Sequence, residues 1–472
     1  MKKVPLRVRQ LAGVCAVALG VSTPVATQAE TLADALVGAY THSGLLDQNR
    51  ALLRAADEDV ATAASTLQPV LRWSASLSQN FGTIRTDGAP TSFDNDDLTA
   101  AIALIAELSI YDGGARRFRL EAAKESVLAT RETLINIEQQ VMLRAVQAFM
   151  GVIEATEFVA LRENNVQLLL QEERAAQDRF EVGEVTRTDV SLAQAQLAEA
   201  RSGLAAARGD LIAASEEYRN VIGRVPGQLR QPPNPPRITD SVEGARALAV
   251  RTHPSLLAAQ HQVAASDLLV RASEADMAPQ VSITGQLSVS DNLNANEYSR
   301  GGSVGVEAGQ TIFQGGALSA NARRSKANAD AQRGNLHTVR HNVSQDVGNA
   351  FATMDTVRAQ LAASERQVRA ADIAFRGIRE EAKLGARTTL DVLDAEQALL
   401  DAQSIQVSAR AALYVAAYQI LSATGRLTAK SLGLPVQLYD PAEYYNLVKD
   451  APAKRSKEGK KLDRVLRALQ KD

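Results

Sequence analysis

The sequence has a single cysteine, Cys15, in 472 residues. That excludes an intrachain disulfide and any multi-cysteine metal site. Charge nearly cancels, at −2, so nothing points to nucleic acid as a partner. Aromatics are scarce, at 4%. Proline is absent between Pro90 and Pro226, and again between Pro279 and Pro435. Since proline breaks helix interiors, both stretches are free to be helical for much of their length. Past the first 30 residues no apolar run is long enough to cross a bilayer as a helix.

The opening residues read as a secretory leader. Lys2, Lys3, Arg7 and Arg9 precede an apolar core from Leu11 to Val21, and "ATQA" ends on Ala29. The apolar core is too short for a membrane anchor, so a cut before Glu30 is expected. Val14 stands before Cys15 where a lipoprotein signal needs Gly or Ala, which argues against lipidation. Cleavage would remove the cysteine and four cations and take the net charge to −6. An exported chain without a spanning helix has two destinations: a soluble protein outside the inner membrane, or an outer-membrane β-barrel.

The chain is one unit written twice. "IYDGGARR" from Ile110 matches "IFQGGALS" from Ile312, and "VGEVTRTDV" from Val182 matches "LGARTTLDV" from Leu384, both at an offset of 202. Pro69 and Pro279 correspond at an offset of 210, so the first copy carries eight extra residues, expected in "RTDGAPTSFDNDD". The expected organisation is a leader over 1–29, a first repeat over 30–224, a Pro-rich linker over 225–240, a second repeat over 241–434 and a charged tail over 435–472. Each repeat should hold one very long helix. The first runs from Gly114 to about Phe180, and its counterpart starts after Gly316 and ends near Leu384. A helix of that length is about 100 Å long, which suits a coiled coil or a tube and not a compact domain.

The pattern switches to period two just before each long helix. Leu71, Trp73, Ala75 and Leu77 oppose Arg72, Ser74, Ser76 and Ser78; Val281, Ile283, Leu287 and Val289 oppose Ser282, Thr284, Gln286 and Ser288. Leu98 to Leu108 and Val304 to Ile312 alternate in the same way, with Ile105 an exception. These are four strands of about ten residues, in hairpins near 70–110 and 280–313, the length a transmembrane strand needs. A half-buried soluble sheet would show the same alternation. If the strands lie in lipid, four cannot close a barrel, because small barrels need about eight. An open edge is not tolerated there. Several chains must then share one barrel, and three would supply twelve strands.

"LGARTTLDVLDAEQALLDAQ" aligns Asp391, Asp394 and Asp401 on roughly one helix face, with Arg387 the only cation in the stretch. A solvated helix face is the plain alternative. His337 and His341 have an i, i+4 spacing, but no carboxylate completes a metal site. "GGSVGVEAG" lacks the lysine of a phosphate loop and lies in strand text. No catalytic constellation has a supporting context, so neither an enzyme nor a cofactor is expected.

From about Thr31 to Leu434 the chain resembles the TolC family of outer-membrane export ducts. "FEVGEVTRTDV" and "KLGARTTLDVLDAEQALLDAQ" carry the resemblance most specifically, with the "YDGG" and "FQGG" helix starts and the duplication beside them. The resemblance implies a mainly α fold with β: a trimeric twelve-stranded transmembrane barrel continuous with a long periplasmic α-helical barrel. It implies a passive duct for type I protein secretion, multidrug efflux or both. Its partners would be outer-membrane lipid, a periplasmic adaptor and an inner-membrane transporter. The alternative is a structural coiled-coil protein of the envelope without a pore. In the family's terms, Gly183 and Gly385 fall in the adaptor-contact turns at 181–188 and 383–390. Asp391 and Asp394 fall on a ring of aspartates at the pore entrance. Arg387, Asp189 and Thr188 fall on the polar links that hold the entrance shut. A tyrosine of that lock aligns with Ala382 here, a departure. The charged tail lies outside the resemblance, and its composition suggests disorder or at most a short helix.

Overall fold

The duplication seen in the sequence is repeated element by element in the computed structural model, which describes residues 29–84, 88, 93–232, 234–236, 238, 241–295 and 297–469. The leader with Cys15, the tip of the first hairpin and part of the Pro-rich linker lie outside the described residues. The first repeat runs α1 (Leu32–His42), α2 (Gly44–Ser65), β1 (Val70–Ile84), β2 (Phe93–Tyr111), α3 (Ala115–Glu181) and α4 (Arg187–Ile222). The second runs α5 (Val242–Thr252), α6 (Pro254–Ala275), β3 (Gln280–Asn292), β4 (Glu297–Gly309), α7 (Ala317–Lys383) and α8 (Thr389–Ala423). Helices α1 and α5 have 11 residues each, α2 and α6 have 22, and α3 and α7 have 67. At 1.5 Å per residue, α3 and α7 are each about 100 Å long.

The strands are longer than the alternation suggested, with 15 and 19 residues in the first hairpin and 13 in each strand of the second. The fourth ends earlier, at Gly309, and leaves Ile312 and Phe313 exposed beyond it. All four pair antiparallel in chain order, β1-β2-β3-β4, so β2 and β3 join the two repeats.

The main apolar core sits midway along the long helices. There α1 and α2 cover Met142, Val146 and Phe149 of α3, with Tyr218 and Ile222 of α4. Side chains of that size contribute roughly 1.5–3 kcal/mol each when fully buried. A matching cluster gathers Ala245 and Ala249 of α5 with Val347, Phe351 and Met354 of α7. Away from this belt α3 packs on α4, and α7 on α8, through seams of small and branched residues such as Ala176, Val190 and Ala193. Part of the linker lies extended against the start of the chain, where Glu30 bridges to Leu229 and its carboxylate accepts a bond from the Tyr218 hydroxyl at 2.5 Å.

The last segment is not disordered. It forms α9 (Pro441–Val448) and α10 (Lys457–Leu469), and Tyr444 and Val448 bury against Ala61 of α2. Of the two forms expected for the tail, disorder or a short helix, the helical one holds, because Leu462 and Leu466 of α10 pack on that cluster.

Candidate functional site

The sheet and the far ends of the long helices are the two places where the chain's design departs from ordinary burial. On the sheet, the register aligns Trp73, Leu104 and Leu287 in one lateral row, and Ala75, Ile102 and Val289 in the next. This apolar face is bare: Trp73 is 72% exposed and Val304 85%. A half-buried soluble sheet would need a cover over such residues. The outer strands, β1 and β4, have no further strand beside them among the described residues. An uncovered apolar face with two open edges suits a sector of a membrane barrel completed by other chains.

At the other end α3 turns into α4 and α7 into α8. Gly183 and Gly385 sit at φ +78° and +77°, where the chain reverses. The N–H of Glu184 donates to the Arg179 carbonyl, and that of Ala386 to the Glu381 carbonyl, each at 2.9 Å. These are the reversed bonds of a left-handed helix ending. A Cβ at either glycine would meet nothing within 4 Å, so only the backbone conformation demands glycine there.

Each turn feeds a capping box. Thr388 is the cap of α8: its N–H and hydroxyl donate to Asp391 Oδ2 at 2.9 and 2.8 Å, and the Asp391 N–H returns a bond at 3.2 Å. Thr186 and Asp189 repeat the arrangement on α4. The Thr388 N–H, then its hydroxyl, holds the Asp391 carboxyl below the usual range. The Thr186 hydroxyl and N–H do the same for Asp189. Thr-Xaa-Xaa-Asp before an apolar run is a recognisable start signal. It gives Asp391 a structural task of its own. Asp394 is exposed one turn further on, and Asp401, also exposed, accepts a bond from Gln397 at 2.8 Å.

Within one chain Arg387 meets neither expected partner. Its Nε donates to Glu381 Oε2 at 2.8 Å, while Asp189 is engaged with Thr186 and Thr188 lies in the first turn of α4. Ala382 is buried with Phe375, Val392 and Ala395 in the seam between α7 and α8. Beside it is a cavity of about 100 Å³, also lined by Arg179, Arg379 and Lys383.

Two cross-links that the sequence did not suggest tie α3 to the second repeat near this tip. Asn165 donates to Glu396 Oε1, and Arg379 pairs with Glu172 at 2.9 Å. Glu396 is 4% exposed, and its other oxygen has no bond among the described residues. Burial pushes its carboxyl up to about 7. Its signal was positional, since 396 falls on the stripe of Leu393 and Leu400, where an apolar residue belongs. His337 and His341 are exposed on α7, and no group of three or more His, Cys, Asp or Glu among the described residues could hold a metal.

A barrel sector running into 100 Å helical hairpins is the subunit of a membrane duct. The family profile described as "Outer membrane efflux protein" matches residues 39–224 and 246–426, one block in each repeat. The chain is 36% identical to outer membrane efflux protein BepC of Brucella suis biovar 1 (strain 1330), over 91% of this chain and 93% of that protein. It is 24% identical to outer membrane protein TolC of Escherichia coli (strain K12), over 86% and 84%. It is 25% identical to the alkaline protease secretion protein AprF of Pseudomonas aeruginosa, over 71% and 69%. The CmeC outer membrane channel of Campylobacter jejuni has the same fold, with a TM-score of 0.75, 17% identity and coverage of 89% and 90%. The chain belongs to the outer membrane efflux protein family. It is an outer-membrane duct of the TolC type, in a family of channels and not of enzymes.

Proposed function

We propose that three copies complete a twelve-stranded barrel in outer-membrane lipid and a helical tube beneath it. In this reading the duct docks on a periplasmic adaptor and an inner-membrane transporter and passes drugs, proteins or both. The sheet carries the proposal, because its bare apolar face and open edges cannot persist in lipid without neighbouring copies. Relatives named for efflux and for protease secretion support both cargo classes.

The tip would be where access is controlled. Asp391 and Asp394 of three chains would place six carboxylates at one mouth. Arg387, Asp189 and Thr188 would link neighbouring protomers and hold that mouth closed. An exposed pair is worth only about 0–1 kcal/mol, but a trimer repeats it around one opening. In planar bilayers the protein should give small single-channel steps, and Arg387→Ser should enlarge them. Complete absence of steps would sink the duct. Steps unchanged by the substitution would show that this mouth is locked by other contacts.

The turns at Gly183 and Gly385 would be gripped by the adaptor. Valine at either position must adopt a left-handed conformation costing about 1–2 kcal/mol. Gly183→Val and Gly385→Val should each lower adaptor cross-linking and export while the protein still reaches the outer membrane. Normal export by both variants would rule the turns out as the contact.

A further inference from the structure

We propose that α10 is a lipid-binding arm that rests on anionic phospholipid headgroups of the membrane leaflet facing the helical barrel. The proposal takes the outer-membrane placement of the sheet as given and adds a second membrane contact to it.

Placement comes first. The Gln68 side chain donates to the Asp450 carbonyl at 3.3 Å, and Gln68 stands two residues before Val70, the first residue of β1. Asp450 is therefore within about 15 Å of the point where the chain enters the sheet. Tyr444 fixes α9 to the same end of α2, donating its hydroxyl to Glu58 at 2.6 Å. Helix α10 is docked on this junction through Leu462 and Leu466, which pack with Val448 and Ala451. It thus lies at the membrane end of the helical barrel, far from the tip.

Charge comes second. From Lys449 to Leu469 there are eight cations and three acids, in a chain whose overall charge is −2. At 100° per residue, Lys457, Lys460, Lys461, Arg464 and Arg467 share one face of α10, opposite the leucines. All five are exposed. None of them takes part in the ion pairs of the described residues. A polybasic face beside a bilayer is drawn to anionic lipid, over a range set by the Debye length of about 8–10 Å. Long Lys and Arg stems reach several ångströms further. A cationic helix buried by its apolar face on the protein, and level with headgroups, fits a lipid surface better than a free ion.

The test uses full-length protein in nanodiscs, with a fluorophore on Ala468→Cys in a Cys15→Ser background and a nitroxide quencher on the lipid headgroups. Discs of phosphatidylcholine alone are compared with discs containing phosphatidylglycerol. Quenching should be stronger in the anionic discs. The difference should fall about fivefold or more when Lys457, Lys460, Lys461, Arg464 and Arg467 are changed to Gln. Raised salt should produce the same loss in the unmutated face, which separates charge from misfolding. Incorporation into discs reports the sheet's membrane placement independently. Equal quenching in both lipids would overturn the proposal. So would a five-Gln protein that quenches normally but no longer captures its adaptor, since the face would then belong to a protein partner.

Discussion

Replacing Asp391 and Asp394 together by alanine should abolish block of the pore by trivalent cations added at the tip side, with assembly unchanged. In the proposed trimer the two positions stack about one helical turn apart, and a multivalent cation in that mouth would feel all six charges at once. Such charges are less damped than on an open surface, and a mouth lined by one sign concentrates the opposite ion. The structure refines how the test must be read. Asp391 also accepts the bonds of the Thr388 N–H and hydroxyl at the start of α8, so its loss loosens that first turn. Thr186→Ala removes the hydroxyl bonds of the equivalent cap from α4 and leaves both aspartates of α8 in place. Block that survives Thr186→Ala and disappears in the double variant is a ring effect. Block retained at unchanged affinity in the double variant would return these aspartates to a solvated helix face.

The second large effect concerns Glu396. Its carboxyl is pushed up to about 7 by burial, from an ordinary glutamate value of 4.5, while Asn165 and Arg162 pull it down and Glu172 raises it. A carboxyl raised on folding favours the folded state when protonated, so its contribution is fully present below about pH 4.5 and is lost as pH rises through about 7. The buried charge then weakens the joint between α3 and α8 by about 3 kcal/mol at pH 8. Glu396→Gln mimics the protonated form and should remove the dependence. Hydrogen exchange across Asn165 and Glu396, followed from about pH 5 to 8, should accelerate in the parent and stay flat in the variant. Parallel profiles would mean that water or a neighbouring chain solvates the carboxylate. Because this joint ties the second repeat to the first near the tip, its loosening should ease opening.

Much of this architecture was legible in the sequence. Two proline-free stretches and a constant offset of 202 led to a pair of equal long helices, and the structure gives both 67 residues. Alternation located the four strands, because a period of two survives whatever covers the face. It could not say whether protein or lipid covers it; that needed the exposure of Trp73 and Val304. The strands run past the alternating text because polar residues extend the ladder, as where Asp96 and Asp97 accept side-chain bonds from Gln79 and Asn292. Glu396 was overlooked because its partner, Asn165, is 231 residues away in the chain. The charged row of Asp391, Asp394 and Asp401 masks the shorter-range bond of Asp391 to Thr388, although Thr-Leu-Asp after Thr388 spells that bond out. Net charge concealed α10, where the placement of the leucines, not the number of lysines, decides folding.

In the proposed trimer the four strands are one sector of a shared barrel. Native mass spectrometry of the protein extracted from the outer membrane in mild detergent tests it most directly. A single species with the mass of three chains is expected, falling to one chain only after heating. A one-chain species that still gives channels, or a folded one-chain species with no membrane association, would contradict it.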